Sequence, residues 1–277
     1  MDIYYQNHAG EKIYLDRRPY KMLAVTSLFD SEWDYIKKGY SFPHVVRFEK
    51  SMVTKSFDLV IDGITKEEYK NNLNSFVKIT ERDIQNLSPG KLYVGDTYLS
   101  CYFYKNQKKR RYVNTNKSAV QIGVLSESGK WIFENKFQIR TAFENSTDQR
   151  YLDYPYGYNY DYANSLSSRM IHNNSPGNSD FKMIVYGPCT DPVIAINDHV
   201  YQIYAEIMPQ EYLVINSVEK RIYKVKNNGI EINLFGSRNR DSYIFEKISV
   251  GKNSVVWSGE YGFDLILYEE RGEPIWI

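Results

Sequence analysis

Cysteine and histidine are scarce in this sequence, and long apolar runs are missing. Its 277 residues include 2 cysteines, Cys101 and Cys189, and 4 histidines. The two thiols lie far apart in the chain, so a disulfide is not expected and synthesis in a reducing cytoplasm is the simplest interpretation. The start lacks a signal-peptide pattern, and no run approaches the roughly 20 apolar residues that cross a membrane. The sequence therefore predicts no membrane span.

Signatures of catalysis are also missing. The glycines do not form a phosphate loop, the histidines have no metal-binding spacing, and no nucleophile elbow occurs. Glu269 and Glu270 are adjacent, so a strand would point them to opposite faces, and Glu206 with Glu211 is typical of solvated carboxylates. We therefore expect a protein that is not an enzyme and needs no cofactor or metal.

Charge is almost balanced, with one local exception. The net charge is +1, which gives no general attraction to nucleic acid. The basic run Lys105–Arg111 follows the predicted strand Tyr98–Tyr104 and is expected to form the tip of a long hairpin. Such a tip is either simply solvated or an arm that reaches an acidic patch on a neighbour, in which case Lys108, Arg110 and Arg111 are the candidate contacts.

Aromatic residues are abundant, at 16% with 26 tyrosines. Every second residue from position 154 to 162 is a tyrosine: Tyr154, Tyr156, Tyr158, Tyr160 and Tyr162. An extended chain would place these five rings on one face, but the intervening Pro, Gly, Asn and Asp disfavour a central strand. The ribbon is therefore interpreted as a connector. It either covers the seam between two domains or also contacts a neighbouring subunit.

Short strands dominate the pattern, and the length favours two domains. From residue 181 onward, eight or nine short strands, among them Val193–Ile196 and Tyr243–Ile248, are separated by turns such as Asn227–Gly229. This pattern predicts a β-sandwich of jelly-roll type. The first half is also mostly strands, among them His44–Glu49, with one amphipathic helix near residues 65–78. Its start is a capping box at Thr65–Glu68, followed by the apolar series Tyr69, Leu73, Phe76 and Val77.

The fold class predicted from these patterns is mainly β. An α+β domain with one amphipathic helix spans residues 1–148, a tyrosine-rich linker spans 149–180, and the β-sandwich spans 181–277. The linker is assigned because its small polar residues, as in Ser165–Ser168, are poor material for a core.

Fragments along nearly the whole chain resemble one family. In the first half they are Ser88–Val94, Tyr98–Tyr102, Trp131–Ile132 and Asp153–Tyr156. In the second half they are Ile184–Pro188, Asp191–Ile194, Glu211–Ile215, Gly229–Asn233, Phe245–Ile248 and Gly251–Asn253. In order and spacing these fragments resemble the distal tail proteins of long, non-contractile-tailed bacteriophages.

The resemblance implies a structural hub in the virion, made in the cytoplasm of the bacterial host. Such proteins form a homo-oligomeric ring, usually of six copies, through their first domains. The ring lies between the tail tube protein and the tail-associated protein at the tip. The second domains, which are galectin-like sandwiches, project outward and can hold receptor-binding proteins. In such a ring the helix and nearby strands can face a neighbour, which makes Tyr69 and Phe76 candidate contacts.

Two other classes of function are weighed against the hub. A carbohydrate-binding β-sandwich for host-surface adhesion would use exposed rings, with Trp257, Trp276 and the tyrosine ribbon as candidates. A glycosidase would need a carboxylate pair, and the sequence offers no good one.

Overall fold

The chain forms two units in a computed structural model. The model describes residues 2–25, 27–111, 116–141 and 167–275. The first unit contains the residues up to Phe133 together with the segment from Glu270, and the second contains Glu134–Glu269. The boundaries differ from those predicted, residues 1–148 and 181–277, because the second unit starts earlier and the last residues belong to the first.

Strands and one helix build the first unit. In chain order the strands are β1 (Ile3–Gln6), β2 (Lys12–Tyr14), β3 (Asp16–Arg17), β4 (Tyr20–Val25), β5 (Asp34–Lys38), β6 (His44–Glu49), β7 (Val53–Asp62), β8 (Gly90–Val94), β9 (Thr97–Arg111), β10 (Lys117–Ser126) and the beginning of β11 (Trp131–Ile139). One antiparallel sheet has the order β9-β10-β7-β4-β3, and β9 also joins a smaller one in the order β2-β1-β8-β9.

The core of the first unit follows from the two-residue repeat of its central strands. Phe57, Leu59 and Ile61 alternate along β7 and are fully buried. In β10, Ile122 lies opposite Phe57 and Val120 opposite Leu59, so all five side chains share one face of the sheet. These residues belong to one buried apolar cluster, which also includes a ring from the helix.

The helix α1 (Lys66–Gln85) starts where the sequence predicts and ends later. The Glu68 amide donates to Thr65 Oγ1 at 3.1 Å, which satisfies one free amide of the first turn. The prediction ended near residue 78 because the following turns carry polar residues. Two of these, Thr80 and Asp83, are buried, and Thr80 Oγ1 donates to the Phe76 carbonyl at 3.0 Å. Among the described residues, no helix is long and apolar enough to cross a membrane.

Among the described residues, the strands β5 and β6 pair only with each other, and we call this hairpin (residues 34–49) the arm. Every residue of both strands is exposed. Its turn requires glycine at position 39, where φ is +102° and an added Cβ would lie 2.6 Å from the Phe42 carbonyl oxygen. The sequence predicted β6 with the observed bounds and did not predict β5.

The second unit is built from short strands. These are the remainder of β11, then β12 (Ser167–Asn173), β13 (Asp180–Tyr186), β14 (Cys189–Thr190), β15 (Val193–Ile196), β16 (His199–Gln202), β17 (Glu206–Ile207), β18 (Tyr212–Asn216), β19 (Arg221–Val225), β20 (Glu231–Asn233), β21 (Gly251–Trp257) and β22 (Phe263–Arg271), which ends in the first unit. One sheet includes the order β20-β19-β18-β13-β22, a second has the order β12-β21-β15-β16, and β14 pairs with β17.

Apolar residues from both sheets of the second unit meet in one core. Phe181 and Met183 of β13 and Val255 and Trp257 of β21 belong to the same buried cluster. Two antiparallel sheets that share a core in this way form a β-sandwich. The predicted mainly β fold class, with a helix in the first unit, is confirmed.

Part of the predicted linker, residues 149–180, is a strand. β12 pairs with β21 from Ser167 to Asn173. The polar side chains at the end of β12 are buried and hydrogen-bonded. Asn173 Nδ2 donates to the Ile248 carbonyl at 3.0 Å, and Ser179 Oγ donates to Asn173 Oδ1 at 3.1 Å. The linker prediction is wrong for this stretch because buried polar residues were taken as a sign of solvated chain.

A strand predicted over Tyr243–Ile248 is also wrong. Only Ile248 pairs, in an isolated bridge with Ser179. Ile244 and Phe245 are nevertheless buried in the core of the second unit. Apolar residues in a row therefore indicated burial correctly but not strand pairing.

Candidate interaction surfaces

One face of the helix α1 is used by the core. Phe76 is 1% exposed, and its ring centroid lies 5.7 Å from that of Tyr20 and 6.4 Å from that of Phe103. Tyr69 is half-buried and packs against the same cluster. Of the two contacts predicted on this helix, Phe76 is thus enclosed within its own unit, while Tyr69 presents part of its ring at the surface.

A buried carboxylate fixes the end of the helix to the first strands. Asp83 is fully buried, accepts a hydrogen bond from the Tyr5 hydroxyl and accepts another from the His8 amide at 3.0 Å. His8 Nδ1 lies 2.5 Å from the same carboxylate. Burial, with a smaller contribution from this carboxylate, raises the pKa of Tyr5, so the phenol stays a donor. The cluster went unpredicted because its members lie far apart in sequence.

The basic run lies within a strand, not at a hairpin tip as predicted. β9 continues to Arg111 and pairs with β10 from Tyr102 onward. Lys108 is exposed and lies opposite Val120, while the side chains of Arg110 and Arg111 fall outside the described residues. A run of polar residues fits a strand here because residues 105–108 are exposed on both faces of the sheet.

From Tyr102 onward, β10 pairs with one edge of β9. Along the other edge, no strand pairs with β9 beyond Cys101 in the described part of the chain. β8 pairs with this edge only from Thr97 to Cys101, whereas β9 itself runs on to Arg111. An open edge presents backbone N–H and C=O groups that a strand of another chain can pair with. The exposed Lys105 and Lys108 restrict which strand can do so, because lysines on an edge oppose indiscriminate pairing.

The tyrosine ribbon lies outside the described residues. This applies to Tyr154, Tyr156, Tyr158, Tyr160 and Tyr162. Their contacts, within the chain or with a neighbouring subunit, stay a prediction.

Of the two tryptophans offered as sugar-stacking rings, Trp257 does not support that role. Trp257 is 3% exposed, its Nε1 donates to the Tyr261 carbonyl at 3.0 Å, and its ring meets Phe263 edge-on. A buried ring cannot stack on a sugar, so this candidate is wrong. Trp276 lies outside the described residues.

Of the four carboxylates considered for acid–base chemistry, Glu269 is buried and the other three are ion-paired or exposed. Glu211 lies 2.9 Å from Lys224 Nζ, and this hydrogen bond lowers the pKa of Glu211, so its carboxylate stays ionised. Glu206 is exposed. Glu270 accepts from Lys130 Nζ at 2.6 Å within the first unit. An ionised carboxylate held by a lysine has no proton to donate as a general acid.

One groove of about 430 Å³ opens in the second unit. It is lined by Gln138–Thr141, Tyr186–Pro188 and Glu260–Asp264. The Tyr186 hydroxyl donates to Asp264 Oδ2 at 2.9 Å, and burial together with this bond raises the pKa of Tyr186 to about 12. No group of three or more His, Cys, Asp or Glu that could hold a metal occurs among the described residues.

Both cysteines are free thiols. Cys101 is buried in the first unit and Cys189 is half-buried in the second. Burial raises the pKa of both, that of Cys189 to about 11, so the thiols stay protonated. A protonated thiol is a poor nucleophile.

Comparison with known proteins gives a result only at the level of structure. No family model matches the sequence, and no curated protein matches it. The SPP1 Dit protein, described as a paradigm of the hub adsorption apparatus in phages that infect Gram-positive bacteria, matches with a TM-score of 0.59, 9% identity and coverage of 98% of both chains.

The baseplate of phage P2 in its activated conformation matches as well. The structure with Ca gives a TM-score of 0.65, and the structure with Sr gives 0.64. Each shares 13% identity and covers 99% of both chains. The resemblance to distal tail proteins is thereby confirmed in fold: over almost its whole length, this chain is similar to a phage tail hub.

Proposed function

We propose that this chain is a structural hub of a phage tail tip. The observation that carries the proposal is the match over 98% or more of both chains with phage hub and baseplate proteins. A match of this extent includes both units and their order along the chain. It therefore favours a shared role of the whole molecule over the reuse of one common domain.

In this proposal the first unit forms a homo-oligomeric ring, of six copies as is usual for the family it resembles. The open edge of β9 beyond Cys101 supports a contact of this kind. At the other end of the same sheet lies β3, which has only two residues. A sheet with different ends suits head-to-tail contacts, and a closed ring protects edges that would otherwise aggregate.

The remaining roles follow from the same resemblance. The ring would join the tail tube protein to the tail-associated tip protein, and the second unit would hold receptor-binding proteins on the virion. This role requires no catalysis, and the ion-paired Glu211 and protonated Cys189 fit a protein that acts by assembly. The glycan-binding alternative loses Trp257 as a stacking ring because this side chain is buried.

Electron microscopy of the purified chain, combined with light scattering, tests the ring. We expect closed particles with a mass several times the 32.6 kDa of one copy. In assembled phage particles, a gold-labelled antibody to this chain should mark the end of the tail distal to the capsid. Particles that carry the chain elsewhere, or tails that lack it altogether, would overturn the hub assignment.

A further inference from the structure

The arm exposes more aromatic surface than a monomer usually leaves in water. Its rings and one at its base are Trp33 (48% exposed), Tyr35 (51%), Tyr40 (107%), Phe42 (89%) and Phe48 (62%). At roughly 200 Å² a ring, these five leave on the order of 700 Å² in contact with water. The largest apolar patch of a typical monomer is about 300–600 Å², and a stable interface buries about 800 Å² on each partner. The arm alone approaches that interface area.

Both faces of the arm carry this surface. Tyr35 lies opposite Phe48, and their ring centroids are 6.4 Å apart on one face. Ile36, the next residue, is 39% exposed and points to the other face because strand side chains alternate. An isolated two-stranded hairpin is marginally stable in water. The arm therefore requires a partner that encloses it from both sides.

The base of the arm is held in place. Lys50 Nζ donates to Ser31 Oγ at 3.1 Å and to the Gly129 carbonyl at 3.3 Å, and it lies 5.1 Å from the ring of Trp33. Ser51 Oγ donates to Asp34. The arm is therefore hydrogen-bonded at its base and exposed along the rest of its length. These contacts distinguish it from a loop whose apolar residues are exposed by chance.

We propose that the arm binds a second copy of this chain, an inference that rests on the ring proposed above. Charge argues against nucleic acid or an anionic membrane, because Lys37, Lys38 and Arg47 against Asp34 and Glu49 leave only +1. A bilayer would also cover the tip but leave the two faces near the base in water. In a ring every copy contacts its neighbours in the same way, so every arm is covered at once.

Photo-crosslinking tests this contact on the full chain. A photoreactive phenylalanine analogue replaces Phe42 at the tip, and unlabelled chain is mixed with ¹⁵N-labelled chain before irradiation. Mass spectrometry then separates crosslinks between copies from those within one copy. The same analogue at Tyr204, which is 52% exposed in the second unit, is the matched control.

We expect crosslinks that join a labelled copy to an unlabelled copy. They should form at least tenfold more often from position 42 than from position 204. A Tyr40→Ser, Phe42→Ser double variant should weaken self-association at least tenfold in light scattering while its circular dichroism stays unchanged. Rings that form without such crosslinks would overturn the inference but not the proposed hub function. The same holds if position 42, irradiated in phage tails, reacts only with another protein or with added vesicles. A chain that stays strictly monomeric and is absent from tails would overturn both proposals.

Discussion

Two short antiparallel hairpins of this chain have opposite surroundings. In the hairpin of β15 and β16, Ile194, Ile196 and Tyr201 are 1–3% exposed and belong to the core of the second unit. In the arm, Tyr35 is 51% and Phe48 is 62% exposed. Each hairpin is antiparallel, strand-forming and rich in apolar residues.

The difference lies in what covers each hairpin. β15 pairs with β21 as well as with β16, and the opposite sheet of the sandwich closes over it. Within the described ranges of the chain, the two strands of the arm pair only with each other. Burial on folding therefore stabilises the hairpin of β15 and β16, whereas the large side chains of the arm stay exposed in the single chain.

Removing the Tyr201 ring from the hairpin of β15 and β16 should have the largest effect on stability. Tyr201 packs edge-on against Phe181 at 5.2 Å, and its hydroxyl donates to the Glu246 carbonyl at 2.8 Å. We expect Tyr201→Ala to lower the free energy of unfolding of the second unit by about 3–5 kcal/mol. Urea unfolding followed by hydrogen exchange of β13 amides measures this. A loss no larger than that of Tyr35→Ala in the arm would break the comparison.

High pH should destabilise the second unit through its buried tyrosines. Burial raises the pKa of Tyr201, Tyr261 and Tyr268 above the ordinary value of 10.0. The folded state therefore binds these protons more tightly than the unfolded state, so stability is complete below pH 10 and declines above it. The expected decline is about 1.4 kcal/mol per pH unit for each ring. Urea unfolding between pH 9 and 12 measures the slope, and an unchanged slope in Tyr201→Phe would contradict the assignment.

Loosening the base of the arm should have a moderate, local effect. Lys50→Met keeps the apolar stem but removes the bonds to Ser31 and Gly129, which we expect to cost about 1 kcal/mol. The amides of β5 and β6 should then exchange faster, while those of β7 do not change. Lys37→Met is the control, since the ammonium of Lys37 lies over the exposed ring of Tyr35 and makes no contact with the base. Equal effects of both changes would show that the base does not anchor the arm.

Changing the tip of the arm should affect the isolated copy least. Phe42 is 89% exposed, so Phe42→Ser should alter the free energy of unfolding by less than about 0.5 kcal/mol. Chemical unfolding at a concentration where the chain is monomeric checks this. A loss above about 1 kcal/mol would mean that the tip is already packed within its own copy.

Local patterns made much of the fold predictable. The strands His44–Glu49 and Val193–Ile196 have the predicted bounds because β-branched and aromatic residues are framed by turn residues in both. The start of the helix was readable from Thr65 and Glu68. The Thr65 hydroxyl accepts from the Glu68 amide, and the Glu68 carboxylate accepts from the amide of Ile64.

The missed features depend on groups that are distant in sequence. The helix continues to Gln85 because Asp83 finds partners in Tyr5 and His8, which no local window contains. β12 was taken for linker because Asn173 and its neighbours are polar, although their partners bury them. The interaction surfaces were the least predictable. The arm and the hairpin of β15 and β16 differ in whether other strands pack on them, and that depends on the fold of the rest of the chain.

The path of the chain has a further consequence. It leaves the first unit after Phe133 and re-enters it at Glu270, so the sandwich is one uninterrupted insert in a scaffold that keeps both flanking segments. An insert with a single entry and a single exit can be exchanged, enlarged or trimmed by one recombination event. The order of the chain thus allows the sandwich to change in size or sequence while the two flanking segments of the first unit are kept.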